Sequence, residues 1–545
     1  MSKRFTRILT TLFVTLALLG GGVTLYGDNI RKLFGASASS LAVDYRAVAS
    51  DSERLQRKSM KSFGKNDAYG DGDSDTGQRA NTPVAHAPAP ISAPQAINPR
   101  TEVREDAFST FAVDVDTASY TQFRRSVTEH QLPHPSNVRV EEWVNYFRYA
   151  VPAPRPGQGP FHVALEAAPS PFAARQHLLK VSLQGRHVAK AERKPTHLVF
   201  LVDTSGSMQG PDRLALVQKS VKLAVEGLNP NDTVAITTYA GGVSTVLEPT
   251  PAKERKRINA AIDSLSAGGG TAMGDGLELA YRQAVRMAGS ERVSRVIVLT
   301  DGDTNLGRNQ TVATMLGSIR QYVKEGVTLS TIGFGMGNYR DELMERLANQ
   351  GNGNCYYIDS EREAQRVFRD QLGGTLEVIA QDVKIQVEFD RAAVRAYRLL
   401  GYENRAIADA DFRKDDVDAG EVGASHTVTA LYELDLTGEG DTVATVRVRA
   451  KKPGDSEAAE QRFVLNRDEV KESLDRASDD LRFAVAVAST ADLLRGTLTT
   501  DERNFSRIHS LAADATHGQE DREEFLTLLG KLRQLLAPRL ASSSR

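Results

Sequence analysis

The sequence predicts an α/β protein: a doubly wound, mainly parallel sheet in the middle of the chain, flanked by a smaller β-rich platform and C-terminal helices. Three observations carry that prediction. Residues 197–202 and 295–300 are runs of strand length dominated by apolar side chains, the pattern of strands buried on both faces of a parallel sheet. Strand and helix patterns alternate around them, which winds a parallel sheet and covers both its faces. Beyond residue 363 the period changes to strict alternation, at 383–389 and 443–449, as in antiparallel strands with one face in water.

Taken in order, the chain divides into seven stretches. Residues 1–34 carry Lys3, Arg4 and Arg7 ahead of an apolar run at 8–26, about long enough to cross a hydrocarbon core. They are expected to form a signal anchor with the body outside the cytoplasm. The alternative is a signal peptide cleaved near Ala36-Ser37-Ala38. Residues 35–105 are expected to be a disordered tether, because the charged, Ser/Gly-rich part at 51–75 and the Pro/Ala-rich part at 82–99 bury too little apolar surface to fold.

Order is expected to resume in an N-terminal segment at 106–156. It holds a short strand, a helix with Tyr120, Phe123 and Val127 on one face, and a second helix at 140–147. Residues 157–193 contain strands at 162–166 and 177–183, expected to pair with C-terminal strands in an antiparallel platform. The central domain spans 194–362. Leu214, Val217, Val221, Ala224 and Leu228 make one helix face, and Ile258, Ile262 and Leu265 another. Strands are expected at 233–239, 327–334 and 355–359, with helices at 277–287 and 342–348. Residues 363–470 read as β-rich and 471–541 as helices, at 481–494 and 525–536. The cluster of Asp409, Asp411, Asp415, Asp416, Asp418 and Glu421 reads as a solvated acidic loop, since a calcium loop would need a different spacing and a turn glycine.

Charge and cysteine content narrow the chemistry. A formal net charge of −2 gives no electrostatic footprint for nucleic acid. The single cysteine, Cys355, excludes an intramolecular disulfide and a cysteine-rich zinc site, and its place in a strand marks it as a packed thiol. The strand at 197–202 runs straight into Asp203, Ser205 and Ser207, which alternate along a loop that Gly206 lets turn. Short oxygen donors in that pattern suit a hard cation, Mg²⁺ or Mn²⁺, and leave it electrophilic. Thr271, after the Gly268-Gly269-Gly270 loop, and Asp301, after the second buried strand, supply further oxygens at the same sheet edge. The plainer reading of this loop is an Asp/Ser turn that caps the next helix.

Asp203, Ser205, Ser207, Thr271 and Asp301 together resemble the metal-ion-dependent adhesion site of the von Willebrand factor type A domain, in which DxSxS, a distant Thr and a distant Asp hold a divalent ion. Two further stretches resemble a bacterial, membrane-associated subfamily. One is Asp114-Val115-Asp116-Thr117-Ala118-Ser119-Tyr120, followed by Arg139-Val140-Glu141-Glu142 and Asn145-Tyr146-Phe147. The other runs through 401–433, in a C-terminal domain of undefined role. The resemblance implies an adhesion or assembly module tethered to the bacterial inner membrane as a single-pass protein. Its body would lie in the periplasm or otherwise outside the cytoplasm, and its partner would be a protein offering an Asp or Glu carboxylate to the ion.

Two other function classes stay in view. Asp114-Val115-Asp116-Thr117 resembles the nucleophile loop of haloacid-dehalogenase-like phosphatases, with Asp114 attacking phosphate and Asp116 as acid/base, but lacks that family's lysine and later acidic pair. The plainer reading makes Asp116 or Thr117 a helix cap. A hydrolase at the metal site lacks a general base, since none of the ten histidines adjoins the three loops in sequence. The third class is a structural envelope-assembly protein that the ion only stabilises. No catalytic residue and no organic cofactor is assigned, and Gly268 to Gly270 lack the Lys-Ser/Thr of a nucleotide-binding loop.

Overall fold

The computed structural model describes residues 97–289, 291–302, 312–335, 341–371, 374 and 376–542. The apolar run at 8–26 and the tether as far as 96 lie outside the described residues. Among the described residues no helix is long and apolar enough to cross a membrane.

The fold begins inside the stretch expected to be tether. β1 (Thr101–Glu102) pairs antiparallel with Tyr397 and Ala396. Just before it, Asn98 Nδ2 donates to the carbonyls of Leu399 (3.2 Å) and Gly401 (2.6 Å). The correction has a local cause: a side-chain amide satisfies edge carbonyls that a Pro/Ala-rich backbone could not. β2 (Phe108–Ala112), α1 (Ala118–Thr128), α2 (Val140–Tyr146), β3 (Phe161–Pro169) and β4 (Gln176–Gly185) follow.

The central domain runs β5 (Thr196–Asp203), α3 (Leu214–Gly227), β6 (Thr233–Tyr239), β7 (Val243–Pro251), α4 (Arg255–Asp263), α5 (Met273–Val285), β8 (Val293–Thr300), α6 (Val312–Lys324), β9 (Val327–Phe334), α7 (Asp341–Gln350), β10 (Cys355–Ile358) and α8 (Glu361–Gln365). Its sheet has the order β10-β9-β8-β5-β6-β7, and only the edge strand β7 is antiparallel. Alternation along β5 explains the double winding. Leu198, Phe200 and Val202 pack with Val217, Val221 and Ala224 of α3. Val199 and Leu201 point the other way, onto Leu277, Ala280 and Ala284 of α5. Each such side chain contributes roughly 1.5–3 kcal/mol on burial, so a run with no polar alternate position stays between two helical layers. The strand β7 and the helix α6 were not expected from the sequence.

After the central domain come β11 (Val378–Phe389), β12 (Val394–Leu400), β13 (Gly420–Gly423), β14 (Thr427–Leu436), β15 (Thr442–Lys451) and β16 (Ala458–Asn466). They join the N-terminal strands in two antiparallel sheets, ordered β1-β12-β14-β4-β3 and β13-β11-β15-β16, with β2 also paired to β11. β4 does pair with a C-terminal strand, β14, in register from Gln176 opposite Asp435 to Gln184 opposite Thr427. The flanking platform is therefore larger than expected. Phe111, Val163, Leu179, Ile385, Tyr432 and Val446 share one core between the sheets, so the two ends of the chain build a β-sandwich and the central domain is inserted between β4 and β11.

The half-exposed face expected at 383–389 is also corrected. Lys384 and Gln386 are 2% and 6% exposed, because β11 is an interior strand and the acidic loop lies across it. Lys384 Nζ donates to the Lys414 carbonyl, and Asp415 pairs with Arg449 at 2.9 Å, so this loop is held by the sheet and not merely solvated.

The C-terminal helices are α9 (Asp479–Arg495), α10 (Glu502–Ala513) and α11 (Glu520–Ser542), of which α10 was not foreseen. They share a core with α1 and α2. Tyr120, Phe123, Trp143 and Phe147 meet Phe483 and Phe525, with the Phe147 and Phe483 rings 4.8 Å apart, edge to face. The helical layer thus belongs to both ends of the chain.

Candidate functional site

The five residues singled out from the sequence lie on loops at the carboxyl ends of the parallel strands, where open α/β sheets bind ligands. β5 and β8 are adjacent, with Val202 opposite Leu299, so Asp203 and Thr300 leave the sheet side by side. The fully buried Asp203 carboxylate accepts from the Ser205 backbone N–H and from the Thr300 hydroxyl, both at 2.9 Å. Thr300 Oγ1 in turn accepts from Gly302 N–H at 3.0 Å, which shapes the turn that carries Asp301. The Ser205 and Ser207 hydroxyls approach to 3.0 Å. Alternating positions on one tight turn have brought them to the same side.

Backbone bonds attach the glycine loop to this turn. Gly206 N–H donates to the Gly269 carbonyl at 3.0 Å, and Gly268 N–H donates to the Thr204 carbonyl at 2.8 Å. Gly269 has φ +86°, which a side chain would strain. Gly276 lets α5 press against β6, since a Cβ there would lie 2.8 Å from Tyr239 Cβ. Thr271, half-buried, sits two residues before α5 on the loop so held. Asp203, Ser205, Ser207 and Asp301 therefore share one sheet edge, and Thr271 reaches it through the bonded glycine loop.

Burial pushes Asp203 up to about 6; hydrogen bonds from Ser205 and Thr300 hold it down, and the Asp301 charge adds to the rise. No ion pair reaches Asp203 among the described residues, so its partners are neutral donors. A buried carboxylate so placed favours a proton or a cation. Two carboxylates and three hydroxyls are hard oxygen donors, a set that fits Mg²⁺ or Mn²⁺. Among the described residues no group of three or more His, Cys, Asp or Glu side chains is placed to hold a metal. The capping alternative fails: α3 begins at Leu214 after Arg213, with no side-chain cap bond.

The second acidic loop is placed quite differently. Asp114 and Asp116 are 4% and 3% exposed beneath Arg405, which donates to Asp114 Oδ2 at 3.1 Å and to Asp116 Oδ2 at 3.3 Å. Asp114 Oδ1 accepts from Asp116 N–H, and Asp116 Oδ1 accepts from Cys355 N–H at 2.8 Å, sealing the edge strand β10. The cap expected of Asp116 or Thr117 is not made: Thr117 precedes α1 without a side-chain bond, and Asp116 is spent on β10. Beside this loop lies a cavity of about 190 Å³ lined by Asp114, Asp116, Asn349, Asn354, Arg405 and Glu421. Its Asn349 to Asn354 wall leads into β10, at the end of the sheet opposite Asp203. Burial, helped by Asp418 and Asp382, pushes Glu421 up to about 8. Cys355 is a buried thiol, as its strand position implied.

Sequence reading missed two residues that organise these loops. Thr300 reads as an ordinary β-branched strand residue, and only its position just before Asp301 could have marked it. Arg405 lies in a polar loop 291 positions from Asp114 and carries no local signal.

The parallel sheet and its oxygen-bearing edge loops define a von Willebrand factor type A domain, and comparison with known proteins agrees. Residues 197–370 match the family model for that domain, and 93–180 match one described as von Willebrand factor. Residues 374–443 and 435–535 match the model described as the C-terminal part of uncharacterized protein YfbK. YfbK of Escherichia coli (strain K12) is 38% identical over 462 residues, which is 79% of this chain and 79% of YfbK. The uncharacterized protein sll0103 of Synechocystis is 29% identical over 202 residues, 37% of this chain and 46% of that one. A solved structure, the von Willebrand factor type A protein from Catenulispora acidiphila, has a TM-score of 0.43 and 19% identity, covering 69% of this chain and 90% of that one. The chain belongs to the YfbK family of von Willebrand factor type A domain proteins.

Proposed function

We propose that this protein is a metal-ion-dependent protein-binding module of the bacterial envelope, serving adhesion or assembly. Domains of this type typically mediate protein interactions. The observation that carries the metal reading is Asp203: a fully buried carboxylate bonded only to neutral donors, beside the converging hydroxyls of Ser205 and Ser207. Mg²⁺ or Mn²⁺ would be held by Ser205, Ser207 and Thr271, with Asp203 and Asp301 binding directly or through water. The ion would supply an electrophilic position for an Asp or Glu carboxylate of a partner protein. The glycines around it, Gly206, Gly241 and Gly268 to Gly270, are exposed and bring no side chains of their own to the approach.

In this reading the protein is a binder and not an enzyme, because Asp114 already serves Arg405 and the backbone of its own loop. The apolar run at 8–26 would hold the body on the outer side of the inner membrane. Two measurements test the function. Mg²⁺ should raise the melting temperature of the wild type and leave Asp203→Ala unchanged. The immobilised chain should retain the same envelope protein in Mg²⁺ but not in EDTA, nor as Asp203→Ala. Equal melting shifts and equal retention in all arms would overturn it.

A further inference from the structure

We infer that the N-terminal segment positions the cation loop through Arg125, so the site is braced by a part of the chain outside the central domain. This rests on reading Asp203, Ser205 and Ser207 as a cation site. α1 carries two successive arginines with different tasks. Arg124, 5% exposed, fixes the helix to the central domain, pairing with Asp359 at 2.5 Å and Glu363 at 2.9 Å. Glu363 also accepts from the Tyr146 hydroxyl at 2.9 Å, so α2 joins the same anchor.

One residue on, Arg125 turns toward the cation loop. Its Nη2 pairs with Asp212 at 2.7 Å, and its Nη1 donates to the Tyr357 hydroxyl at 3.3 Å. Asp212 lies on the short stretch between the Ser205/Ser207 turn and α3. Its neighbour Arg213 donates to the Ser207 carbonyl, so a guanidinium on each side of that stretch holds it. Tyr357 donates to the Gly335 carbonyl just after β9, and Gly335 has no room for a side chain against Arg213, whose Cγ lies 2.7 Å from where a Cβ would stand. One arginine of the N-terminal segment thus braces two loops at the sheet edge that bears the site.

Fixing Asp212 limits how far Ser207 can swing, and hydroxyl ligands bind weakly unless they are held in place. Arg125 is a positioning residue that would touch neither ion nor partner.

The test uses the full chain with Mg²⁺ alone as probe. Arg125→Met keeps the apolar stem and removes the charge; Asp212→Asn removes the other partner; Arg125→Glu with Asp212→Arg reverses the pair. The expected result is a two- to fivefold rise, order of magnitude, in the Mg²⁺ concentration for half-maximal thermal stabilisation of each single variant. The melting temperature in EDTA should be unchanged, and the reversed pair should recover most of the affinity. Lys222→Met, which breaks an ion pair of the same domain away from the site, should do nothing. Amide exchange at 204–213 in EDTA supplies an arm independent of the ion: it should quicken in both single variants. Wild-type Mg²⁺ response with unchanged variants and unchanged exchange would overturn the positioning role of Arg125 alone. No Mg²⁺ response in the wild type would overturn the cation reading, and this inference with it.

Discussion

Two loops in this chain have nearly the same pattern, Asp114-Val115-Asp116-Thr117 and Asp203-Thr204-Ser205-Gly206-Ser207, and the fold treats them oppositely. Both bury their first aspartate and bond it to the backbone N–H two residues on. They differ in what balances the charge. Arg405, from the C-terminal part of the sandwich, lies against Asp114 and Asp116 and acts as a built-in cation. Asp203 meets only hydroxyl and amide donors, and its turn opens among exposed glycines. Alternating oxygen side chains after a strand therefore specify a buried polar turn. Whether that turn is structural or can take a ligand depends on whether the rest of the chain brings it a positive charge.

The largest effect expected from this comparison is at the closed loop. Arg405→Met should cost about 3–5 kcal/mol in urea denaturation, because it leaves buried carboxylates unpaired. The loss should be the same with and without Mg²⁺. An unchanged unfolding midpoint would break the claim that Arg405 stands in for a cation. Glu141 sharpens the same point, being a third carboxylate near that loop. It is 1% exposed, and burial, with Glu403 and Asp114 nearby, pushes it up to about 7; the Tyr402 and Glu141 backbone N–H groups pull the other way. A raised carboxyl opposes folding only once it must ionise. The penalty is therefore absent below about 4.5, grows between there and 7, and is full above 7. Glu141→Gln should match the wild type at pH 4 and exceed it by an amount on the order of 3 kcal/mol at pH 8. Parallel stability curves for the two proteins would sink this account.

At the open loop the effect should depend on the ion. With Mg²⁺ at a hundredfold excess over its dissociation constant, the wild type should gain about 2.7 kcal/mol, read as a shift of the denaturation midpoint. Asp203→Asn should gain nothing from Mg²⁺ and should differ little from the wild type in EDTA, since it removes a buried charge with no ionic partner. An Asn variant that responds to Mg²⁺ like the wild type would move the ion, if any, to other ligands.

How much of this was legible follows from how local each cause is. The central sheet could be read because burial on both faces leaves a continuous apolar run in β5 and β8, and the cation candidates stand at the ends of those runs. The sandwich was legible only in part: pairing of 177–183 with a C-terminal strand was expected, but the register, such as Ser182 with Thr429, 247 positions apart, and the second sheet rest on contacts across an inserted domain. Lys384 and Gln386 looked like an exposed strand face because nothing in their own segment announces the loop that covers them. α10 was missed because only Phe505, Ile508 and Ala512 of its residues are buried, a thin signal beside two longer helices. Arg405 was illegible because its partner Asp114 lies 291 positions away, across the same inserted domain.

The smallest effect tests the residue that separates the two loops most finely. Thr300 donates to Asp203 and accepts from Gly302, so one hydroxyl both orients the carboxylate and shapes the turn leading to Asp301. Thr300→Val keeps the volume and β-branching but leaves a buried acceptor and a buried N–H without their partner. In EDTA it should cost about 1–2 kcal/mol, measured by urea denaturation. Thr300→Ser keeps the hydroxyl, loses one methyl, and should cost less than about 1 kcal/mol. The discriminating readout is again Mg²⁺: Val should shift the half-saturating concentration upward, because a carboxylate free to rotate is a poorer ligand, while Ser should leave it unchanged. If Val loses stability but keeps the wild-type Mg²⁺ response, Thr300 only props the turn, and the orientation of Asp203 has another source.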